Sequence, residues 1–115
     1  MLRLDLYKRG KYQIIKVGED IKTHTDISEL NSVIKWLLYK GKNAIAIQFT
    51  PDSFLGPKAV SLFVDCVEMI VKERGQLTII NPNTYMHDFL EAIDFDHVIK
   101  MCNTEEELVY ERAVA

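Results

Sequence analysis

The chain has 115 residues, 48% of them hydrophobic and 27% charged, which is typical of one folded domain rather than two domains or a disordered segment. Its longest apolar runs, such as residues 44–47, are far shorter than the roughly 20 residues that cross a bilayer, which excludes a spanning helix. The net charge is −3, from 14 basic and 17 acidic residues, and the basic residues are scattered along the sequence, whereas nucleic-acid-binding proteins typically carry a basic patch or stripe.

The N-terminal segment predicts an antiparallel hairpin. Leu2, Leu4 and Leu6 alternate with polar residues, which is the period of a strand with one buried face. Residues 9–11 supply a turn, and residues 12–17 continue as a second strand. Because this segment alternates and reaches an acid at once, it does not resemble a signal peptide, and we expect a cytoplasmic protein.

The first helix is predicted after a polar loop. Asp26 can cap it, with Glu29 three residues later in the spacing of a capping box. Apolar residues then recur at helical spacing from Ile27 to Leu37, and Gly41 ends the helix.

The middle of the chain predicts a buried strand, a loop and a long helix. Residues 43–49 form a nearly continuous apolar run, which suits a parallel strand covered on both faces. Pro57 fits the first turn of a second helix, which is expected to run to about Arg74 and to stop at Gly75.

The remaining segments predict two more strands and two more helices. Residues 76–80 and 97–101 suit short strands, residues 84–93 suit a third helix, and Thr104 can cap a final helix. The predicted order is β-β-α-β-α-β-α-β-α, which indicates an α/β fold with a mainly parallel sheet and an N-terminal antiparallel hairpin.

No catalytic or metal-binding motif emerges. Cys66 and Cys102 lie far apart, outside any Cys-x-x-Cys pair, and are expected to be core thiols. The three histidines are not spaced like zinc ligands, and we find neither a phosphate-binding loop nor a nucleophile elbow. We therefore expect a protein-binding domain without cofactor or metal rather than an enzyme.

Several local sequences resemble a known family. Residues 47–50 stand where that family has the end of a Leu-Asp-Leu-Ser strand, and residues 75–82 match its Gly-x-x-Leu-x-Leu and Asn-x-x segments. Residues 90–95 resemble its Leu-x-x-x-Gly-Leu/Phe turn, with Asp94 in place of glycine, and residues 104–108 resemble its closing Thr/Ser-x-Glu-Glu-Ala helix. Together with the element order, these sequences resemble the STAS domain, the family of bacterial anti-sigma factor antagonists, over nearly the whole chain.

The resemblance implies a regulatory protein that binds an anti-sigma factor with a serine kinase fold. In the family, that kinase phosphorylates a Ser or Thr at the start of the second helix, and the added charge of about −1.5 to −2 releases the complex. Without gaps, the family's Asp-Ser-Ser-Gly falls on residues 56–59, and neither Pro57 nor Lys58 can accept phosphate on oxygen. This switch is therefore predicted to be absent. A gapped alignment places the phosphosite on Ser53, whose hydroxyl could instead bond to nearby loop backbone.

The second helix is apolar around more of its circumference than contact with a sheet requires. Phe63, Val67 and Ile70 lie in the middle of the apolar arc and should face the sheet. We expect one flank of the helix to be partly exposed, together with adjacent loop residues and Lys58, as a docking patch for a protein partner. The predicted partner-binding residues are Phe54, Leu55, Lys58, Leu62, Cys66 and Met69. The alternative is that neighbouring elements cover this flank as part of the core.

Two other functions remain open. The chain could be an adaptor subunit of a transport or stress-signalling complex, since STAS-like domains occur in such assemblies. It could also bind a small ligand at loop 49–56, which follows the carboxyl end of a strand, where α/β folds place ligands. Homodimerisation through the apolar flank or a sheet edge is open as well.

Overall fold

The computed structural model describes residues 1–94 and 97–109. Its five-stranded sheet has the order β1-β2-β3-β4-β5. The strands are Leu4–Arg9 (β1), Tyr12–Val17 (β2), Ala44–Gln48 (β3), Gln76–Ile80 (β4) and Ile99–Cys102 (β5). The helices are Ser28–Tyr39 (α1), Pro57–Lys72 (α2) and Thr84–Ile93 (α3), and residues 106–109 are also helical. β1 and β2 pair antiparallel and all other neighbours pair parallel, which confirms the predicted fold class.

All three long helices pack on the same face of the sheet. The strands follow one another in chain order, so successive right-handed crossovers carry each connecting helix to the same side. The main core lies between this face and the helices, and Phe63, Val67 and Ile70 of α2 are buried in it as predicted. None of the described helices is long and apolar enough to cross a membrane.

The opposite face of the sheet carries a smaller core that the C-terminal segment helps to cover. Leu108 is buried there against Ile14, Ala46 and Ile80. Ala46 packs on this face while its neighbours Ile45 and Ile47 pack on the other, which confirms that β3 is buried on both sides. The carboxylate of Glu105 accepts hydrogen bonds from the Tyr7 hydroxyl at 2.7 Å and from the Arg9 guanidinium at 2.8 Å. The segment is thus attached to the N-terminal hairpin as well.

The first strand differs from the prediction. It begins at Leu4 rather than Leu2, and Leu6 is 41% exposed although its alternation indicated a buried face. The reason is position: β1 is the edge strand, beyond the area that the helices cover. Leu2 is nevertheless buried, just ahead of the strand.

The predicted capping box of α1 is wrong. The helix begins at Ser28, and the carboxylate of Asp26 accepts a hydrogen bond from the Ser28 N–H at 2.9 Å, which makes a local turn before the helix. Glu29 does not reach back to Asp26; its Oε1 accepts from the Leu2 N–H at 3.1 Å. The Glu29 side chain, which the local pattern assigned to a helix cap, thus bonds to the N-terminal segment instead.

The two residues that follow the end of α2, Arg74 and Gly75, differ from the sequence prediction in what each does. The helix ends at Lys72, and Arg74 adopts the left-handed conformation that usually favours glycine, with φ of 52°. Gly75 serves close approach instead, because a Cβ there would lie 2.6 Å from the Asn43 carbonyl oxygen. The Gly75 N–H donates to the Ile70 carbonyl at 2.8 Å, which closes the helix end.

At the C-terminus, Thr104 was predicted to cap the final helix. Its backbone oxygen accepts from the Glu107 N–H at 3.2 Å, and the Glu107 carboxylate accepts from the Asn103 N–H at 3.2 Å. The predicted turn at residues 90–95 lies in part outside the described residues, since Phe95 is not among them.

Candidate functional site

The loop that joins β3 to α2, residues 49–56, is folded inward. Phe49, Ser53 and Leu55 point into the protein and are buried, while Phe54 between them is 36% exposed. The interior of the loop is therefore filled by its own side chains. The prediction that Leu55 forms part of an exposed patch is wrong, because the loop turns its side chain into the main core.

A short chain of buried hydrogen bonds fixes this loop. Ser53 Oγ accepts from the Ile21 N–H at 2.9 Å and lies 2.6 Å from Thr50 Oγ1, which in turn donates to the Asp20 carboxylate at 2.5 Å. Because the single hydroxyl proton of Thr50 is directed to Asp20, the Ser53 hydroxyl is the donor to Thr50. Ser53 thus donates once and accepts once, and its backbone partner is Ile21 of the connection before α1 rather than a residue of its own loop.

The loop is held just as tightly at its exit into α2. Gly56 precedes the helix in an extended conformation, with φ of −74°. A Cβ at this position would lie 2.5 Å from the backbone oxygen of Thr23. Pro57 occupies the first turn, as predicted, where its missing N–H removes no helical hydrogen bond.

Asn83 connects the loop to α3. Its side-chain oxygen caps α3 by accepting from the Met86 N–H at 2.8 Å. Its amide donates to the backbone oxygens of Pro51 at 2.9 Å and Ser53 at 2.8 Å. No role was predicted for Asn83, although asparagine directly before a helix is a recognised cap signal.

An aromatic cluster covers the outside of the loop. The rings of Phe54 and Tyr85 meet edge to face with centroids 6.4 Å apart, and Tyr85 stacks on Phe89 at 6.4 Å. Phe89 contacts Phe63 of the core at 6.5 Å, so the cluster runs from the interior to the surface. The Tyr85 hydroxyl donates to the Leu55 carbonyl at 3.1 Å while half of its side chain stays exposed.

The exposed residues at the start of α2 follow Phe54 closely in sequence, and we group them with this cluster as one area. We call it the loop-end surface and define it as Phe54, Pro57, Lys58, Ser61 and Tyr85. It combines aromatic and apolar contact area with one cation. The first turn of α2, residues 57–59, carries no hydroxyl group.

The predicted docking flank of α2 is largely covered by α1. Asn31 of α1 donates to the Leu62 carbonyl at 2.9 Å and accepts from the Cys66 thiol at 2.9 Å. Cys66 is fully buried, so its assignment to an exposed patch is wrong, while Leu62 and Met69 are half-buried. The physical cause is the α1–α2 contact, which a helical pattern within α2 cannot reveal.

The predicted patch is also divided along the helix. Met69 lies 11 residues after Lys58, about 16 Å along the helix axis at 1.5 Å per residue. It lines a groove with Leu38 and Tyr39 of α1 at the opposite end of the molecule. Phe54 and Lys58 therefore share one surface and Met69 belongs to another; the partner-binding role of all three remains a prediction.

The histidines do not contact the loop network. His87 is exposed on α3, with Nδ1 3.1 Å from Glu91 and 3.5 Å from Asp88. Across residues 1–94 and 97–109, these three form the group of metal-ligating side chains that lie close together. Their spacing on one exposed helix face is that of ordinary surface ion pairs.

Comparisons with known proteins agree with this geometry. The family model of the STAS domain matches residues 3–108. Among solved structures, the phosphorylated form of SpoIIAA, a Bacillus cell fate determinant, has 18% identity and a TM-score of 0.70, covering 97% of this chain and 99% of that one. A structure of TM1081 from Thermotoga maritima, named there as a putative anti-sigma factor antagonist, has 18% identity and a TM-score of 0.68, covering 94% and 92%.

The unphosphorylated form of SpoIIAA, named as an anti-sigma factor antagonist, has 16% identity and a TM-score of 0.66, covering 100% of this chain and 99% of that one. Among curated proteins, no sequence matches the chain. At these identities, the structural matches show a shared fold.

Proposed function

The chain belongs to the STAS domain family, and from this premise we propose that it is a regulatory protein-binding domain of the anti-sigma factor antagonist type, without a phosphate switch at the start of α2. It binds its protein partner through the loop-end surface. The supporting observation is the combination of an exposed aromatic and apolar area with a loop whose shape is fixed from three sides.

The loop-end surface suits protein recognition for two reasons. Phe54 and Tyr85 offer rigid aromatic area, which is enriched at protein interfaces. The loop beneath them is bonded to residues 20–21 and to Asn83, so little conformational entropy is lost when a partner binds. Lys58, exposed on the first turn of α2, adds a positive charge and favours a partner with an acidic group at the matching position.

The position of the hydroxyl groups supports the proposed absence of a switch. Residues 57–59 offer proline, lysine and alanine at the first turn of α2. Ser53, the alternative phosphosite, is buried, and its hydroxyl is bonded to Thr50 of the loop and to the Ile21 N–H. A kinase could reach it only after the loop opens, so we propose that binding is constitutive or is regulated in another way.

An enzymatic role is not proposed, because the loop hydroxyls serve structural hydrogen bonds to one another rather than pairing with a histidine base. A small-ligand site in loop 49–56 is also disfavoured, since Ser53 and Leu55 occupy the interior of the loop.

The test of this binding surface compares a charge reversal inside the loop-end surface with a charge reversal outside it. The tagged chain is used to purify partners from its source organism, and the captured protein is identified and its affinity measured against two variants. Lys58→Glu should weaken binding about tenfold or more, because it reverses a charge inside the interface. Lys100→Glu, the control at an exposed lysine of β5 outside this surface, should leave this affinity unchanged.

A kinase assay tests the missing switch. If the captured partner is a serine kinase, incubation with ATP should leave the chain unlabelled. Stoichiometric phosphate on Ser53 or Ser61 would contradict the proposal, as would an affinity that Lys58→Glu does not change.

A further inference from the structure

The fold collects positive charge at the end of the molecule opposite the loop-end surface. Three connections meet there: the β1–β2 turn, the α1–β3 connection and the α2–β4 connection. The Gln76 N–H donates to the Asn43 carbonyl at 2.8 Å, which draws the last two together. A depression of about 310 Å³ lies between the three, lined by Lys11, Lys42 and Arg74 among others.

An apolar groove of about 280 Å³ adjoins this depression, between the last turns of α1 and α2. Leu38, Tyr39 and Met69 supply its apolar lining, and Lys35, Lys72 and Glu73 supply its charged rim. The two depressions together are lined by five cations, Lys11, Lys35, Lys42, Lys72 and Arg74, and by the acid Glu73, while a neighbouring depression that shares Met69 and Lys72 with the groove adds Asp65 and Glu68. This local balance is opposite to the net charge of −3 of the whole chain.

Exposed aromatic side chains flank the groove. Tyr39 is 86% exposed and Trp36, one turn earlier on α1, is 53% exposed. The Lys40 ammonium lies 5.7 Å from the centroid of the Trp36 ring. Tryptophan and tyrosine are the side chains most enriched at the energetic centres of protein interfaces. We define the basic-end surface as Lys35, Trp36, Tyr39, Met69 and Lys72.

We propose that the basic-end surface is a second docking site, for an acidic segment of a partner protein that carries an apolar anchor side chain. The anchor enters the groove between Leu38 and Met69, and flanking carboxylates meet Lys35 and Lys72 on its rim. The volume of about 280 Å³ is below the range of roughly 300–1,000 Å³ of small-molecule sites, and it suits one or two side chains.

Two other occupants fit the geometry less well. A second copy of the chain, bound symmetrically through this surface, would bring the same cations face to face, because a two-fold interface places a patch on itself. Membrane binding depends on apolar side chains that protrude from the protein and insert into the bilayer. Leu38 and Met69 instead line a concave groove, so an anionic membrane surface would leave them without a partner.

The proposed docking site can be tested by selecting binders from a displayed library of random dodecapeptides. Selection on the intact chain should enrich peptides that carry one aromatic or aliphatic anchor between acidic residues. For a synthesised winner, Lys72→Glu and Tyr39→Ser should each weaken binding about tenfold, and affinity should fall as salt rises. Both side chains are exposed, so unchanged melting temperatures are expected and would separate lost contact from lost folding.

Lys58→Glu, at the other end of α2, should leave peptide affinity unchanged. Enrichment of peptides without acidic residues, or equal binding by Lys72→Glu, would overturn the proposal. Binding to phosphatidylserine vesicles in place of peptides, or a dimer that Tyr39→Ser dissociates, would do so too. Because the two proposals are tested by opposite charge reversals, either one can fail while the other stands.

Discussion

The two ends of α2 share one kind of close backbone contact but differ in the residues that surround it. At each end a glycine lies against the carbonyl oxygen of a neighbouring segment: a Cβ would come within 2.5 Å of Thr23 at Gly56 and within 2.6 Å of Asn43 at Gly75. At the Gly56 end, the adjoining polar groups are buried or half-buried and bonded to one another. At the Gly75 end, they are mostly solvent-exposed cations around an apolar groove.

The two surfaces therefore differ in what they offer a partner: one offers a fixed shape and the other offers positive charge. The loop-end surface presents a fixed shape, since its loop is held by Ser53, Gly56 and Asn83. The basic-end surface presents long, flexible cations that can adapt to an acidic partner. Variants in the hydrogen-bond network beneath the loop-end surface should therefore act mainly on the free energy of unfolding, and variants of the basic-end surface mainly on affinity.

The largest expected effect comes from placing a charge in the loop network. Ser53→Asp would bury a carboxylate close to Asp20 and should lower the free energy of unfolding by about 3–5 kcal/mol. Ser53→Ala, which leaves the Ile21 N–H without its acceptor, should cost about 1–3 kcal/mol. Urea denaturation measures both.

Ser61→Asp is the control for this prediction, because Ser61 is exposed on α2, and this change should alter stability by less than about 0.5 kcal/mol. Equal stability of the Ser53 and Ser61 aspartate variants would show that the loop accommodates charge, and it would reopen Ser53 as a phosphosite.

A smaller effect is expected from adding one methyl group at Gly56. Gly56→Ala requires backbone of residue 23 to move and should cost about 2–3 kcal/mol in denaturation experiments. Gly41→Ala is the comparison, since Gly41 has φ of +78° with open space around it and should cost about 1 kcal/mol through backbone strain alone. The same cost in both variants would mean that the contact with Thr23 is not tight.

The smallest effect concerns charge near the basic end, where Arg9 of the β1–β2 hairpin pairs with Glu105. Burial alone would raise the pKa of Glu105, but the hydrogen bonds from Arg9 and Tyr7 and nearby positive charge outweigh it and lower the pKa below its ordinary value of 4.5. The ionised form therefore stabilises the fold above that value, and this contribution is lost as the pH falls through the folded pKa.

Glu105→Gln should remove this component of the pH dependence. Its stability, measured by urea denaturation at a series of pH values below about 5, should fall less steeply than that of the parent chain. Parallel curves for the two proteins would show that the Arg9–Glu105 pair does not contribute to folding.

The fold was predictable because each element carries its own local pattern. The alternation of apolar residues, Pro57 at the first turn of α2 and the glycines beside the helices all act over a few residues. The edge position of β1 was not predictable in this way, because the exposure of Leu6 depends on where the helices lie over the sheet.

The candidate site was only partly predictable, for a related reason. The loop and the start of α2 follow one another in sequence, so Phe54 and Lys58 could be assigned to one surface. The burial of Cys66 depends on Asn31 from another helix. The clustering of Lys11, Lys42 and Arg74 depends on three distant connections. Basic residues that looked scattered along the chain become neighbours only once the parallel strands align their starts.

The contact between Asn31 and Cys66 offers a way to observe how often α1 and α2 separate in the native protein. Burial, with a smaller contribution from Asp65, raises the pKa of the Cys66 thiol to about 12, so almost no reactive thiolate forms at neutral pH. A thiol-alkylating reagent must wait for the helices to part, and the half-buried Cys102 should be modified earlier. The slow second labelling step would then report the opening rate of this helix pair in plain buffer, without any denaturant.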